Sequence, residues 1–303
     1  MQIKKNESLI GNTLEESLHH GTENFNIKIY SNPVDISSPL LASHWHKEFE
    51  IIYVTAGHLT FGIDGKDISI TAGQAILVDR QTIHSCRFCH KNNSRFISIV
   101  FGEKLLFPVN SDIVYQQYIR PLILNQATLT QCVAGKTDWE QDILRLIRNT
   151  IELLNEQKHA YELQTKICLL SIFYVLIREN AFTKVGECEK NADIRMREAL
   201  TYIHENYSQN ITIQEMADKL GICIEHFIRC FRERIGETPK SYLVSYRIRR
   251  VIFLIETQNN TITEIAEKCG FSDMSYFSRC FKKKTGMTPL QYRRTHGKDD
   301  NNS

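Results

Sequence analysis

Hydrophobic and polar positions divide the chain into a β-patterned stretch, a helical stretch and a helical region built on a repeat. Residues from about 25 to 101 carry the short alternation of strands, clearest at residues 48–54, 59–63, 67–70 and 96–101. Asp64-Gly65 between two of these segments predicts a hairpin, because both residue types tolerate the positive φ of a two-residue turn. From Asp138 the period becomes helical. Trp139, Ile143, Leu146, Ile147, Ile151 and Leu154 form one stripe, and Leu163, Ile167, Leu170, Tyr174 and Ile177 a second. Leu169, Ile172, Phe173 and Leu176 flank the second stripe, which leaves apolar surface for a partner chain as well as for a core. The short polar segment 183–191 marks a domain boundary.

The last hundred residues hold one unit twice. Phe227, Arg229, Cys230, Phe231, Gly236, Thr238, Pro239 and Tyr242 recur as Phe277, Arg279, Cys280, Phe281, Gly286, Thr288, Pro289 and Tyr292. Upstream, Thr212, Glu215, Ala217 and Gly221 recur as Thr261, Glu264, Ala266 and Gly270. Each copy opens with Thr-x-x-Glu, a capping box that satisfies backbone donors at a helix start. A glycine then ends the first helix, where a left-handed residue is cheap. The second helix buries Phe227, Cys230 and Phe231, or Phe277, Cys280 and Phe281. Its other face carries Glu225, Ile228, Arg229 and Arg232, or Ser275, Ser278, Arg279 and Lys282. Two short helices about a glycine turn make a helix-turn-helix, whose second helix fits a DNA major groove. Between the copies, residues 239–256 predict a long helix, with Val244, Ile248, Val251, Ile252 and Ile255 on one stripe and Arg247, Arg249 and Arg250 making it basic.

Charge follows the same division. Residues 190–297 hold 18 Lys+Arg against 12 Asp+Glu, whereas residues 1–189 hold 18 against 21. A net charge of +2 thus conceals a basic C-terminal part, the footprint of a nucleic-acid partner. The longest nearly apolar run, 167–177, is too short to span a bilayer, so no membrane partner is expected. No secretory signal is visible, and nine scattered cysteines suit a reducing cytoplasm.

Residues 193–296 resemble the AraC/XylS family of bacterial transcription factors, most specifically in G-F-S-D-M-S-Y-F-S-R-C-F-K-K-K-T-G-M-T-P-L-Q-Y-R and S-Y-L-V-S-Y-R-I-R-R. The resemblance implies two units reading adjacent major grooves of promoter DNA. It places the recognition helices at about 224–234 and 274–284, with Arg229 and Arg279 at DNA-contact positions. Upstream, His44-x-His46-x-x-x-Glu50 resembles the first cupin motif, and Gly73-x5-Asp79-x-Gln81-x-x-His84 the second. The expected fold is therefore multidomain α+β. Its parts are a cupin-like β-barrel (1–135), a helical dimerisation or linker segment (136–190) and an all-α tandem helix-turn-helix domain (191–297).

His44, His46, Glu50 and His84 are the donor types of a metal site, but the second motif is eroded. They are expected instead to shape the pocket of a small-molecule effector, a sugar among the candidates. Alternation would put His44 and His46 on one face of a strand. Cys86-x-x-Cys89-His90 spells a haem-attachment motif, but strand alternation would point its cysteines to opposite faces. Neither metal nor cofactor is expected. The reading is a cytoplasmic, non-enzymatic homodimer that binds promoter DNA, an effector and RNA polymerase, the effector shifting the population of arrangements. A cupin metalloenzyme with an accessory DNA-binding domain, and a thiol or haem sensor, are the alternatives.

Overall fold

The computed structural model describes residues 21–22, 24–34, 41, 43–90, 93–107, 113–120, 127–128, 131–181, 183–184 and 187–296. They form two compact units that divide between Asp193 and Ile194. The first unit opens with seven strands: β1 (Ile27–Val34), β2 (Phe49–Ala56), β3 (His58–Ile63), β4 (Lys66–Thr71), β5 (Ala75–Val78), β6 (His84–Cys89) and β7 (Ser94–Phe101). After a short helix α1 (Glu103–Leu106) and a π-helical turn (Tyr115–Ile119) come β8 (Ala127–Thr128) and β9 (Gln131–Val133). Helices α2 (Asp138–Glu156) and α3 (Tyr161–Arg178), strand β10 (Thr183–Lys184) and helix α4 (Glu187–Asn206) follow. Helix α4 thus begins inside the segment read as a polar linker.

All strand pairs are antiparallel. A five-stranded sheet runs β1-β7-β2-β5-β9, and a three-stranded sheet runs β4-β3-β6. One core lies between the sheets, around Ile52, Phe61 and Phe96; the other lies between the larger sheet and helices α2 and α3. Strand β2 serves both: Phe49, Ile51 and Tyr53 face the helices, while Ile52 and Val54 face the second sheet. Every residue from Phe49 to Val54 is buried, so the strand is apolar on both faces except at Glu50.

Two expectations are corrected here. Cys86 and Cys89 do not face opposite ways. A register shift in β6 pairs Cys86 with Phe61 and Cys89 with Leu59, two residues that share a face, so both thiols turn to the inter-sheet core. Burial pushes the Cys86 thiol up to about 12, which keeps it protonated and unreactive. The second helical stripe is also reversed. Leu169, Ile172, Phe173 and Leu176 are the core face of α3, and Leu163, Ile167 and Tyr174 are exposed.

The second unit holds the remainder of α4, then α5 (Ile213–Lys219), α6 (Ile224–Ile235), α7 (Pro239–Thr257), α8 (Ile262–Lys268), α9 (Met274–Thr285) and α10 (Pro289–His296). Both predicted capping boxes form, Thr212 with Glu215 and Thr261 with Glu264. Thr238 caps α7, and Pro239 occupies its first turn. The repeat extends to packing. Phe227–Phe231 and Phe231–Tyr242 ring centroids lie 5.6 and 5.7 Å apart; Phe277–Phe281 and Phe281–Tyr292 lie 5.7 and 5.7 Å apart. Gly270 has φ +85°, and a Cβ there would meet the Tyr207 carbonyl oxygen at 2.8 Å, so the second turn admits no side chain.

The arginines that make helix α7 basic are engaged within the unit. Arg247 donates to the carbonyls of Tyr207 and Gln209, at 2.7 and 2.8 Å. Arg250 is buried over the rings of Tyr207 and Phe253, and Arg249 lies over Tyr242 and Tyr246. Below them His204 Nε2 lies 3.0 Å from the Tyr242 hydroxyl. Burial, with Arg249 and Arg250 nearby, holds that imidazole well below its ordinary titration range, hence neutral.

Candidate DNA interface and buried histidine cluster

The recognition helices come out as α6 and α9. Phe227, Phe231, Phe277 and Phe281 are fully buried, which fixes which face each helix turns outward. Glu225, Arg229 and Arg232 are exposed on α6, as are Ser275, Ser278, Arg279 and Lys282 on α9; Ile228 is half-buried. Cys230 and Cys280 are half-buried rather than deep in the core. Asp273 caps α9 by accepting from the backbone N–H groups of Ser275 and Tyr276, at 2.8 and 2.9 Å. Lys282, Lys283 and Lys284 fill its last turn, where the helix dipole favours cations. The α6 N-cap, Cys223, makes no such bond. The two helices therefore differ in electrostatics although their cores match.

One participant escapes a reading of opposite faces. His226 Nδ1 lies 2.9 Å from Arg229 Nη2, so the imidazole belongs to the arginine's surroundings. The signal in the sequence was the repeat itself, since His226 stands where the second copy has Tyr276.

In the first unit, the four residues picked from the cupin-like phrases converge. One donor atom from each of His44, His46, Glu50 and His84 lies within 4.8 Å of the others. No strand holds the two leading histidines, contrary to the alternation argument. His44 forms an isolated bridge with His84, and β2 begins only at Phe49. Backbone hydrogen bonds in both directions between His44 and His84, each 2.9 Å, bring the loop to β6.

Glu50 is the hub. Its Oε2 lies 3.0 Å from His46 Nε2 and 2.8 Å from His84 Nε2. The outer ring nitrogens are held too: His46 Nδ1 lies 3.1 Å from the Glu48 carbonyl, and His84 Nδ1 lies 2.8 Å from that of Thr82. Carbonyls only accept, so each Nδ1 carries a proton and each Nε2 turns to the carboxylate. Burial raises the Glu50 carboxyl, but the nearby His84 charge and the hydrogen bond with His46 outweigh it and hold the carboxyl well below its usual range. Glu50, His46 and His84 are 3%, 1% and 1% exposed, so a ligand from solvent meets His44 first.

This donor set fits a divalent transition metal. Imidazoles whose outer N–H is anchored on a carbonyl, beside a carboxylate, are the surroundings such ions take. The same groups work equally as a closed triad of two imidazoles about one carboxylate. Across β2, an apolar cleft beneath α3 is lined by Phe49, Ile51, Leu77 and Phe173.

Comparison with known proteins gives two domain matches, a helix-turn-helix domain over residues 216–295 and a cupin domain over residues 34–100. Curated relatives align over nearly their whole length. An uncharacterized HTH-type transcriptional regulator, YdeC of Bacillus subtilis (strain 168), is 22% identical over 94% of this chain and 98% of its own. The HTH-type transcriptional activator RhaS of Klebsiella pneumoniae (strain 342) is 22% identical over 86% of this chain and 90% of its own. The chain is similar along nearly its whole length to HTH-type transcription regulators, and its C-terminal helices match a helix-turn-helix domain. This regulator is a DNA-binding protein with an N-terminal effector domain of the cupin type. Among solved structures, ToxT from Vibrio cholerae aligns over 89% of the regulator and 98% of its own chain, with 15% identity and a TM-score of 0.47. No described helix of the regulator is long and apolar enough to cross a membrane.

Proposed function

We propose that α6 and α9 read adjacent major grooves of one promoter site, and that a small effector bound at the histidine cluster controls this. The observation that carries the reading is the matched pair Arg229 and Arg279, exposed at the same place on two recognition helices. In this reading Arg279, with Ser275, Ser278 and Lys282, contacts bases and phosphates. Arg229, Arg232, Glu225 and Ile228 form the less base-selective first half. The domains are the cupin-like part (1–135), the helical segment (136–190) and the DNA-binding part (191–297). The regulator works in the cytoplasm with RNA polymerase and without catalysis. Its effector is a small polar molecule, a sugar among the candidates, that engages His44 and through it His46, His84 and Glu50.

Binding-site selection from a random duplex pool tests the DNA interface. Arg279→Ala is expected to relax base preference in one half of the selected site, a loss of about 1–3 kcal/mol of discrimination. Affinity should fall steeply with salt, because phosphate contacts release counterions. An unchanged motif with Arg279→Ala would remove α9 from base reading.

We propose further that two copies pair through α3. The exposed Leu163, Ile167 and Tyr174 support this, being 61%, 54% and 61% exposed. Tyr174→Glu is expected to shift sedimentation from dimer to monomer while leaving the unfolding midpoint nearly unchanged; a wild-type monomer at micromolar concentration refutes it.

The convergent donors favour one second reading, an effector domain that holds a divalent metal. His44, His46, His84 and Glu50 would be its ligands, and it would supply a Lewis acid to anchor an oxygen-bearing effector. Metal analysis of purified protein decides between the two.

A further inference from the structure

The two recognition helices carry the same arginine and the same cysteine at matched places, Arg229 with Cys230 and Arg279 with Cys280. The residue three positions before the arginine differs, His226 in α6 and Tyr276 in α9. This one difference changes what the arginine does. In α9 the Tyr276 hydroxyl is influenced by Cys280, one turn further on, and no hydrogen bond joins it to Arg279. Among the described residues Arg279 makes no hydrogen bond or ion pair with the protein. In α6 the ring turns to the arginine instead. His226 Nδ1 lies 2.9 Å from Arg229 Nη2, and Nε2 lies 3.4 Å from Cys230 Sγ.

A guanidinium is always protonated and has only donors. His226 Nδ1 must therefore accept from Arg229. The proton of the neutral ring then sits on Nε2, facing the Cys230 sulfur. The tautomer is fixed by its two neighbours, and Arg229 is tethered to its own helix.

We infer that His226 is a positioning residue that holds Arg229 in one direction and so sets how the first recognition helix reads DNA. The inference rests on α6 and α9 being the DNA-reading helices. Arginine reads guanine with two N–H groups pointed together at O6 and N7. Arg279 keeps its whole fork for such a contact. Arg229 has Nη2 engaged on His226 and offers the remaining donors along a preset direction. That arrangement suits a phosphate or a single base acceptor. The two modules thereby differ in selectivity while sharing the same arginine.

The test is a double-mutant cycle in the full-length protein, on a duplex the wild type selects from a random pool. Arg229→Ala is measured in three backgrounds. These are wild type, His226→Asn, whose Oδ1 replaces Nδ1 as acceptor, and His226→Leu, which has no acceptor. Unchanged unfolding midpoints confirm that position 226 acts on the surface. The affinity lost on Arg229→Ala should be alike in wild type and His226→Asn. It should differ by at least about five-fold in His226→Leu, within the range for coupled neighbours. His226→Leu alone should also sharpen guanine preference in the first half of the site. Equal losses in all three backgrounds overturn the inference. So does His226→Asn behaving like His226→Leu, since the ring would then act by bulk and not as an acceptor. If Arg229→Ala is silent everywhere while Arg279→Ala weakens binding, α6 does not touch DNA and the inference fails. If both arginine variants are silent, the assignment of the DNA interface itself is wrong.

Discussion

Glu50→Ala is expected to destabilise the N-terminal unit by about 3–5 kcal/mol, because it strips from two buried imidazoles the carboxylate that both face. His46 and His84 each direct Nε2 at this carboxylate, and each is 1% exposed, so water cannot take its place without opening the fold. Glu50→Gln keeps a carbonyl acceptor and the shape, and should cost less. Denaturant titration of the two variants and the wild type measures both. A loss below about 1 kcal/mol for Glu50→Ala would mean that the cluster is not a closed triad. The pH dependence has a definite sign. The folded value of Glu50 lies below its ordinary 4.5, so its contribution is complete above that value and is lost as pH falls through the depressed one. Metal addition separates the two readings of the cluster. A triad gains nothing from zinc or manganese, whereas a metal site raises the wild-type midpoint by mass action and loses the gain in Glu50→Ala.

The C-terminal helices were legible because their signals are local. Thr212 with Glu215 and Thr261 with Glu264 cap helices by contacts within one turn, and the glycines stop them. Duplication then repeated the message, and the recognition helices fell within a residue of expectation. The barrel was legible only in outline. Strand β2 is buried on both faces, so its apolar run does not say which side each residue takes. The shift in β6 that turns Cys86 and Cys89 the same way has no sequence marker, since it depends on pairing with β3. Helix α3 misled for a related reason. From Leu163 to Ile177 apolar residues occur all round it, so spacing alone cannot tell the core face from the free one. The convergence of His44, His46, Glu50 and His84 was legible through the cupin-like phrase. The strand argument for it failed, because a backbone bridge to His84 does the positioning. In the sequence Arg247, Arg249 and Arg250 showed only as basic residues on a long helix. Only the packing of α7 reveals that they lie against carbonyls and rings.

Core and interface in the DNA-binding unit should separate cleanly under mutation. Phe277 is fully exposed to packing and not at all to solvent, with Phe271 and Phe281 rings at 5.0 and 5.7 Å. Phe277→Ala removes most of that volume and is expected to cost about 3–5 kcal/mol. A domain holds only about 5–15 kcal/mol in total, so this loss takes a large share of what keeps α8 and α9 together. DNA affinity should fall along with helix content. Phe277→Leu refills much of the space and should recover most of both. Phe227→Ala should do the same to the first module, because its ring is equally buried and meets Phe231 at 5.6 Å. Arg279→Ala, by contrast, should change site selection while leaving the unfolding curve in place, since its side chain is exposed. Circular dichroism during denaturation, run beside binding measurements at fixed salt, distinguishes the two classes. A Phe277→Ala protein that unfolds like the wild type would show that the paired aromatic clusters do not hold the repeat together.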